Sequence, residues 1–403
     1  MVDRSMLDAA ASAGVISPEQ VGPLHDFLSG RHAASPRAAV SGEEDLRFIR
    51  NFHDVFLAIG IVLLGVGLAV AIGSYVASAF QGATEDDARA VVTTIGALTA
   101  GAAAIMWGLG EVFARRRRLF LPAIAIVLAL TMYAVVAAAC LYFGLVLGEN
   151  VDLGQRLDEG AGMPALVRTG ILLAASMAFV APLLFYARFR LPFSLGLAGF
   201  GAACFVVLTA MTFSAEQTLE YIAALFLALG VLLFIAGVAF DARDPTRNSR
   251  FSDNGFWLHM AAAPFILNGA LGLVSQLFNG TQAGAFSPST GLIVGANAGS
   301  GVGPAAATLV VVGFLGFLSL LINRRALIVS ALITTGVAIG VVLNALGLGA
   351  GALAASTLIA LGALVLILGA GWHSVRRALL GWVKPDGVWA RIFPPEPPAP
   401  ARA

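Results

Sequence analysis

The feature that most constrains this chain is a series of ten long apolar runs, each bounded by polar or charged residues. A helix of about 20 residues crosses a hydrocarbon core of about 30 Å. Because lipid offers backbone groups no hydrogen-bond partners, such runs must be helices, and they lack the two-residue alternation of barrel strands. The sequence predicts an all-α polytopic transmembrane bundle of about ten spans. The predicted spans are residues 55–80, 90–114, 119–147, 165–187, 191–213, 218–240, 255–278, 304–322, 326–346 and 350–371.

Composition agrees with a membrane environment. Hydrophobic residues make up 59% of the chain and charged residues only 12%, whereas soluble domains carry about 25% charged residues. The formal net charge is +1 over 403 residues, so no long-range field favours nucleic acid as a partner. The partner that composition predicts is the lipid bilayer.

The orientation follows from the basic residues in the connections. Between Arg37 and Arg391, eighteen arginines and lysines fall before the first span, after the last span or in one alternate set of connections, and three fall in the other set. The first group includes Arg115–Arg118, Arg188 and Arg190. Positively charged connections face the cytoplasm. Both termini are therefore predicted to be cytoplasmic, and the chain to be a multi-pass protein of the inner (plasma) membrane.

Three regions are predicted along the chain. Residues 1–50 form a cytoplasmic helical head and linker, residues 51–372 the ten-span bundle, and residues 373–403 an interfacial segment with a proline-rich tail. The head contains two short predicted helices, residues 3–14 and 17–30, with Ser17 as a cap. Such a hairpin buries little surface, and residues 1–45 are a candidate site for a cytoplasmic protein partner.

The seventh predicted span is the most polar one. It carries Pro264, Asn268, Ser275 and Gln276 in addition to His259, and Asn268 lies near the predicted bilayer centre. One interpretation is that Asn268 hydrogen-bonds to a neighbouring helix. The other is that Asn268, Ser275 and Gln276 line a solute path beside a backbone loosened by Pro264.

Three histidines lie near the predicted cytoplasmic boundary. His53, His259 and His373 occupy the ends of the first, seventh and tenth spans. If these helices are neighbours, their imidazoles would meet and could bind a metal or sense pH. Separate interfacial histidines are the commoner arrangement, so no metal is predicted.

Small residues form stripes along several spans. Gly60, Gly67, Ala71 and Ser74 line one face of the first span. Stripes of this kind let helices approach closely in lipid. They predict a packing face on the first span.

No catalytic machinery is visible in the sequence. No Asp, Glu, Lys or Arg lies near the midplane of any predicted span, which disfavours a proton pump or a charge-selective channel. The chain has no HExxH, CxxC or phosphate-binding loop pattern. We therefore expect neither an enzyme nor a cofactor.

Two stretches of the sequence resemble segments of a known group of proteins. GVISPEQVGPLHDFL before the first span and FWLHMAAAP in the seventh span resemble bacterial polytopic membrane proteins of a domain-of-unknown-function group that have a short N-terminal helical head. The resemblance implies a bacterial inner membrane. It implies no activity and no functional residue.

Two function classes remain open from the sequence. In the first, the protein is a carrier for a neutral or weakly polar small solute. In the second, it is a membrane scaffold or sensor that acts through its head.

Overall fold

The structure, a computed structural model, describes residues 4–33, 52–81, 85–147, 164–244, 250–279, 302–322 and 372–380, with scattered positions between 352 and 366. Every regular element in these ranges is a helix. Their bounds are α1 Arg4–Ser12, α2 Pro18–Ala33, α3 Phe52–Ala79, α4 Glu85–Gly110, α5 Phe120–Tyr142, α6 Ala165–Phe189, α7 Pro192–Phe213, α8 Ala215–Asp241, α9 Arg250–Asn279, α10 Val302–Ile322 and α11 Trp372–Leu380. One π-helical turn extends α4 over Glu111–Arg116, and another extends α5 over Phe143–Leu147.

Seven helices, α3 to α9, are long and apolar enough to cross a membrane. They coincide with the first seven predicted spans, so the prediction of an all-helical protein with several apolar helices of spanning length is confirmed for the described residues. The eighth predicted span coincides with α10, in which Val310–Ile322 forms an apolar helical stretch. The ninth predicted span and most of the tenth lie outside the described residues.

The long helices alternate in direction. At one end of the bundle, Arg188 at the end of α6 contacts Glu111 after α4, and Arg376 Nε of α11 donates to the carbonyl of Leu320 near the end of α10. At the other end, the Tyr142 hydroxyl donates to the carbonyl of Leu166, which joins the end of α5 to the start of α6. Because Arg115–Arg118, Arg188, Arg190 and Arg243 all belong to the first of these ends, we name it the arginine-rich end.

The head helices α1 and α2 form a hairpin of their own. Gly14 ends the first helix with φ of +73°, and the amide of Val15 donates to the carbonyl of Ala10. This left-handed residue after the last turn is a common helix stop. The amide of Ser17 donates to the side chain of Gln20 at the start of α2, which is half of a capping box.

The spanning helices share two apolar cores. The first core surrounds α5, whose side chains meet those of α3, α4 and α6. The second core surrounds α9, which packs against α7, α8 and α10. The contact of α6 with α7 joins the two groups of helices. The buried residues of the first core are Ile61, Ala102, Met106, Ala123, Ile126, Val127, Leu130, Tyr133, Phe185 and Leu191.

The predicted packing face of the first span is wrong. Gly60, Gly67, Ala71 and Ser74 are all exposed on α3, and a Cβ added to either glycine would meet nothing within 4 Å. The face that contacts α5 instead contains Gly65, whose carbonyl accepts a hydrogen bond from the Tyr133 hydroxyl. Small residues permit a close approach, but they do not determine which face meets a neighbour, and α3 lies at the edge of its group.

One of the close helix contacts places α9 against α8. A Cβ at Gly230 would lie 2.6 Å from the backbone nitrogen of Ile266, and a Cβ at Gly269 would lie 2.7 Å from Cα of Leu227. Both distances are too short for real atoms, so only glycine fits at these two positions. Gly272 meets Ala223 in the same way at 2.7 Å. The two backbones therefore touch along much of their length, as small residues allow in membranes.

Candidate functional site

The candidate site follows α9, the most enclosed of the seven spanning helices in the described ranges. In its most apolar stretch 61% of the residues are buried, against 17–33% for the other six. Yet α9 carries His259 near the arginine-rich end, Asn268 in its middle and Gln276 toward the opposite end. Polar side chains are costly inside a membrane protein and usually mark function or interhelical contacts.

A buried contact between two polar side chains joins α9 to α8 near the arginine-rich end. His259 Nε2 lies 3.1 Å from Asp241 Oδ2, with the imidazole completely buried and the Asp241 side chain 9% exposed. Asp241 is the last residue of α8, and His259 lies six residues inside the span that begins at Asp253. At 1.5 Å per residue, the imidazole is about 9 Å inside that end of the span.

Two glycines make room for this pair. A Cβ at Gly237 on α8 would lie 2.8 Å from the Cε1 atom of His259, and a Cβ at Gly255 on α9 would collide with the Asp241 carboxylate. Each glycine precedes one member of the pair by four residues, so it lies one turn away on the same face of its helix. The pair and its two glycines therefore form a reciprocal arrangement across the α8–α9 contact.

Aromatic and amide groups surround the pair. The Phe234 ring on α8 has its centroid 4.9 Å from that of the His259 imidazole, with the two planes at 55°. One turn earlier on α9, Asn254 is buried and its Nδ2 donates to the Tyr186 hydroxyl of α6 at 2.8 Å. This end of α9 is thus connected to both α6 and α8 through polar side chains.

The middle of α9 contains the first two predicted path residues. Pro264 lies inside the helix, and Asn268 Nδ2 donates to the Pro264 carbonyl at 2.7 Å. The hydrogen bond that the structure shows for Asn268 is therefore within its own helix. Both residues are half-buried, which leaves each side chain a partly accessible surface in the middle of the span.

The other two predicted path residues lie toward the opposite end. Gln276 Nε2 is 3.3 Å from the carbonyl of Glu220 and joins the end of α9 to the start of α8. Ser275 belongs to α9, but its side chain lies outside the described residues. Pro264, Asn268 and Gln276 thus lie on one helix, about three turns apart at most, and not in one cluster.

The structure does not bring His53 to His259. His53 is exposed at the start of α3, whereas His259 is completely buried against Asp241. His373 belongs to α11, but its side chain lies outside the described residues. Within the described ranges no three His, Cys, Asp or Glu side chains are placed to hold a metal ion.

Sequence reasoning missed Asp241, the partner of His259. Asp241 is the last residue of its span, a position at which a polar residue usually marks only the membrane boundary. Its contact with His259 depends on the way α8 packs on α9. The available signal was the repeated spacing of a glycine four residues before an ionisable side chain, Gly237 before Asp241 and Gly255 before His259. Sequence alone does not show that the two spacings face each other.

Comparison of the chain with protein-family models, with curated proteins and with solved structures finds no match.

Proposed function

We propose that this protein is a non-enzymatic carrier for a neutral or weakly polar small solute in a bacterial inner membrane. The observation that supports the proposal most is the character of α9. Of the seven spans that the structure describes it is the most enclosed, and it has polar side chains at both ends and in the middle. Polar side chains are costly in a membrane interior and usually mark function or interhelical contacts. The hydrogen bond shown for Asn268 lies within α9 and joins it to no neighbouring helix.

The solute path would follow α9. Asn268 presents a half-buried amide in the middle of the span, and its hydrogen bond to Pro264 leaves the other polar atoms of the amide to other partners. Ser275 and Gln276 would continue the path toward the opposite end. Pro264 removes one backbone hydrogen bond from α9 and makes that helix the natural place for a hinge.

The orientation belongs to the same proposal. The arginine-rich end would face the cytoplasm, with ten spans and both termini on that side, because basic connections are retained there. Reporter fusions at Gly160 and Asp244 test the arrangement. They should report opposite sides of the membrane, and the same side for both would refute it.

Flux measurement tests the carrier directly. The purified protein is reconstituted in liposomes and assayed by counterflow with a panel of labelled sugars, polyols and small amides. At least one solute should exchange, and Asn268→Ala should reduce that exchange, while Ser78→Ala on the exposed face of α3 should not. No exchange of any solute by the wild-type protein would refute the carrier.

A second candidate is a membrane scaffold or sensor that acts through its head. Its support is the α1–α2 hairpin, which belongs to a compact unit separate from the spanning helices and leaves Val15 76% exposed. Residues 1–45 would then bind a cytoplasmic protein. Deleting residues 1–45 should reproduce the phenotype of removing the whole protein if the scaffold is correct, and should leave solute exchange intact if the carrier is correct.

A further inference from the structure

Six arginines lie at two neighbouring connections of the arginine-rich end. Arg115–Arg118 follow α4, and Arg188 and Arg190 lie at the end of α6. All six residues are exposed. One carboxylate lies among them, because Glu111 is 3.1 Å from Arg115 and 2.8 Å from Arg188. In the part of the chain that the structure describes, the other four arginines form no ion pair, so positive charge is in large excess here.

Close packing of α4 on α6 holds the two groups of arginines together. The Trp107 ring of α4 has its centroid 5.4 Å from that of the Phe189 ring of α6. A Cβ at Gly110 would lie 3.3 Å from the same Phe189 ring. Just beyond these residues, Arg188 Nε donates to Glu111 at 2.8 Å. The six arginines therefore belong to one surface, which we name the arginine surface.

Two of the six arginines have a backbone conformation that favours glycine. Arg118 and Arg190 both have φ of +54°, and within the described ranges they are the two non-glycine residues with positive φ. Each is followed by one leucine in extended conformation, Leu119 or Leu191, and then by the next helix. Glycine is the usual residue in a left-handed position after a helix, because a side chain adds strain there. Arginine at both positions favours a role for its side chain at this surface.

An exposed face of α4 leads to the arginine surface. Gly101, Ala104 and Gly108 are exposed at spacings of three and four residues, so they share one helical face. The exposed Val112 and Arg115 follow in the next turns. A Cβ added to Gly101 or Gly108 would meet nothing within 4 Å. We name these three small residues the α4 strip, along which a hydrocarbon chain can lie close to the helix backbone.

The ligand that fits a cationic surface above an apolar strip is a phospholipid with a net negative charge. Guanidinium groups donate paired hydrogen bonds to phosphate oxygens, and basic clusters at the ends of spanning helices attract anionic headgroups. A zwitterionic headgroup also carries a phosphate, but its ammonium group is repelled by the excess positive charge. A free phosphate ion matches the arginines and gains nothing from the α4 strip.

We propose that the arginine surface and the α4 strip together bind one anionic phospholipid. Its phosphate lies at the arginines, and an acyl chain lies along Gly101, Ala104 and Gly108. The bound lipid joins the connection after α4 to the connection after α6 and neutralises part of their charge. The inference requires that the chain lies in a membrane, and it holds for a carrier and for a scaffold alike.

Native mass spectrometry of the full-length protein in detergent tests the site. The probes are phosphatidylglycerol and phosphatidylcholine with the same acyl chains, and the wild-type protein should retain one phosphatidylglycerol where it retains no phosphatidylcholine. Arg117→Gln should weaken this binding about fivefold, and Arg116→Gln with Arg117→Gln about 25-fold, since each basic residue near an anionic headgroup contributes about fivefold. Arg168→Gln is the matched control, because Arg168 also lies over an aromatic ring but at the opposite end, and it should bind as the wild type.

The apolar part of the site is tested by filling the α4 strip. Gly108→Leu should weaken phosphatidylglycerol binding, because the new side chain occupies the surface on which the acyl chain lies. Gly67→Leu on the exposed face of α3 is its control and should not, since a Cβ at either glycine meets nothing within 4 Å. Thermal unfolding gives a second readout: phosphatidylglycerol should raise the Tm of the wild type and not that of the double arginine variant, because a ligand of the folded state stabilises it.

Three outcomes would overturn the proposal. Equal retention of the two lipids by the wild type would show that the surface does not select negative charge. Unchanged phosphatidylglycerol binding in the double arginine variant would place the lipid elsewhere. Displacement of the lipid by an equal concentration of inorganic phosphate would show an anion site that needs no lipid. None of these results depends on solute flux, so failure of the carrier in the counterflow assay leaves the lipid site standing.

Discussion

Replacement of Gly269 by alanine is the sharpest test of the contact between α8 and α9. The new Cβ would lie 2.7 Å from Leu227 Cα and 2.8 Å from the carbonyl oxygen of Ala223. Nonbonded carbon atoms prefer separations of about 3.5–4.0 Å, so the helices would have to separate by about 1 Å. These two atoms and the Leu227 nitrogen, which would lie closer still, all belong to the backbone. The backbone cannot yield as a flexible side chain can.

The expected cost is that of overpacking, about 1–3 kcal/mol. Alanine also has a higher helix propensity than glycine, by about 1 kcal/mol in water. Gly67→Ala on α3 is the matched control, because its Cβ would meet nothing within 4 Å and it carries the same propensity gain. The free energy of unfolding should therefore be about 2 kcal/mol lower in Gly269→Ala than in Gly67→Ala, a roughly 30-fold change in the folding equilibrium.

Unfolding by sodium dodecyl sulfate in mixed micelles, followed by tryptophan fluorescence, measures this difference. The double variant Gly269→Ala with Leu227→Ala should be no more stable than Gly269→Ala, since the obstruction is the Leu227 backbone. Equal unfolding free energies for Gly269→Ala and Gly67→Ala, within about 0.5 kcal/mol, would refute the close backbone contact. Rescue by Leu227→Ala would refute its assignment to backbone atoms.

Three further predictions concern other contacts. Tyr133→Phe removes the hydrogen bond from α5 to α3 and should lower the unfolding free energy by about 0.6–1.7 kcal/mol, whereas Tyr75→Phe on the exposed face of α3 should leave it unchanged in the same titration. A double-mutant cycle of Glu111→Gln and Arg188→Gln should show favourable coupling that shrinks as salt is raised, because the pair is solvent-accessible; coupling independent of salt would contradict this. Asn268→Asp should lower the yield of membrane-inserted protein, since an acid at a span centre costs about 2.5–3.5 kcal/mol, while Asn268→Ala should insert as well as the wild type.

The fold class was predictable because it depends on the order of apolar and charged residues along the chain. Apolar runs bounded by charges predict spanning helices whatever their neighbours are, and the first seven predicted spans coincide with α3 to α9. The special position of the seventh span was also visible, since its polar residues stand out against its apolar neighbours. Its role as the most enclosed helix agrees with that signal.

The predictions that failed concern relations between helices. Gly60 and Gly67 have the same spacing of small residues that forms close contacts elsewhere, yet they are exposed on α3. Gly230 and Gly269, in contrast, make close backbone contacts between α8 and α9. A stripe of small residues becomes an interface only where another helix packs on it. The sequence does not show which helix packs on which stripe.

The sequence by itself determined that this chain contains helices long and apolar enough to cross a membrane, where the first seven lie, and that the seventh is unusual among them. Each of these properties follows from the length of an apolar run compared with the thickness of the bilayer, and from the cost of placing polar residues in lipid. Only the tertiary structure decided that Asp241 lies against His259 and that Gly237 and Gly255 make space for them. These residues come together because α8 and α9 pack with their backbones in contact, and that packing depends on the shapes of two whole helix faces.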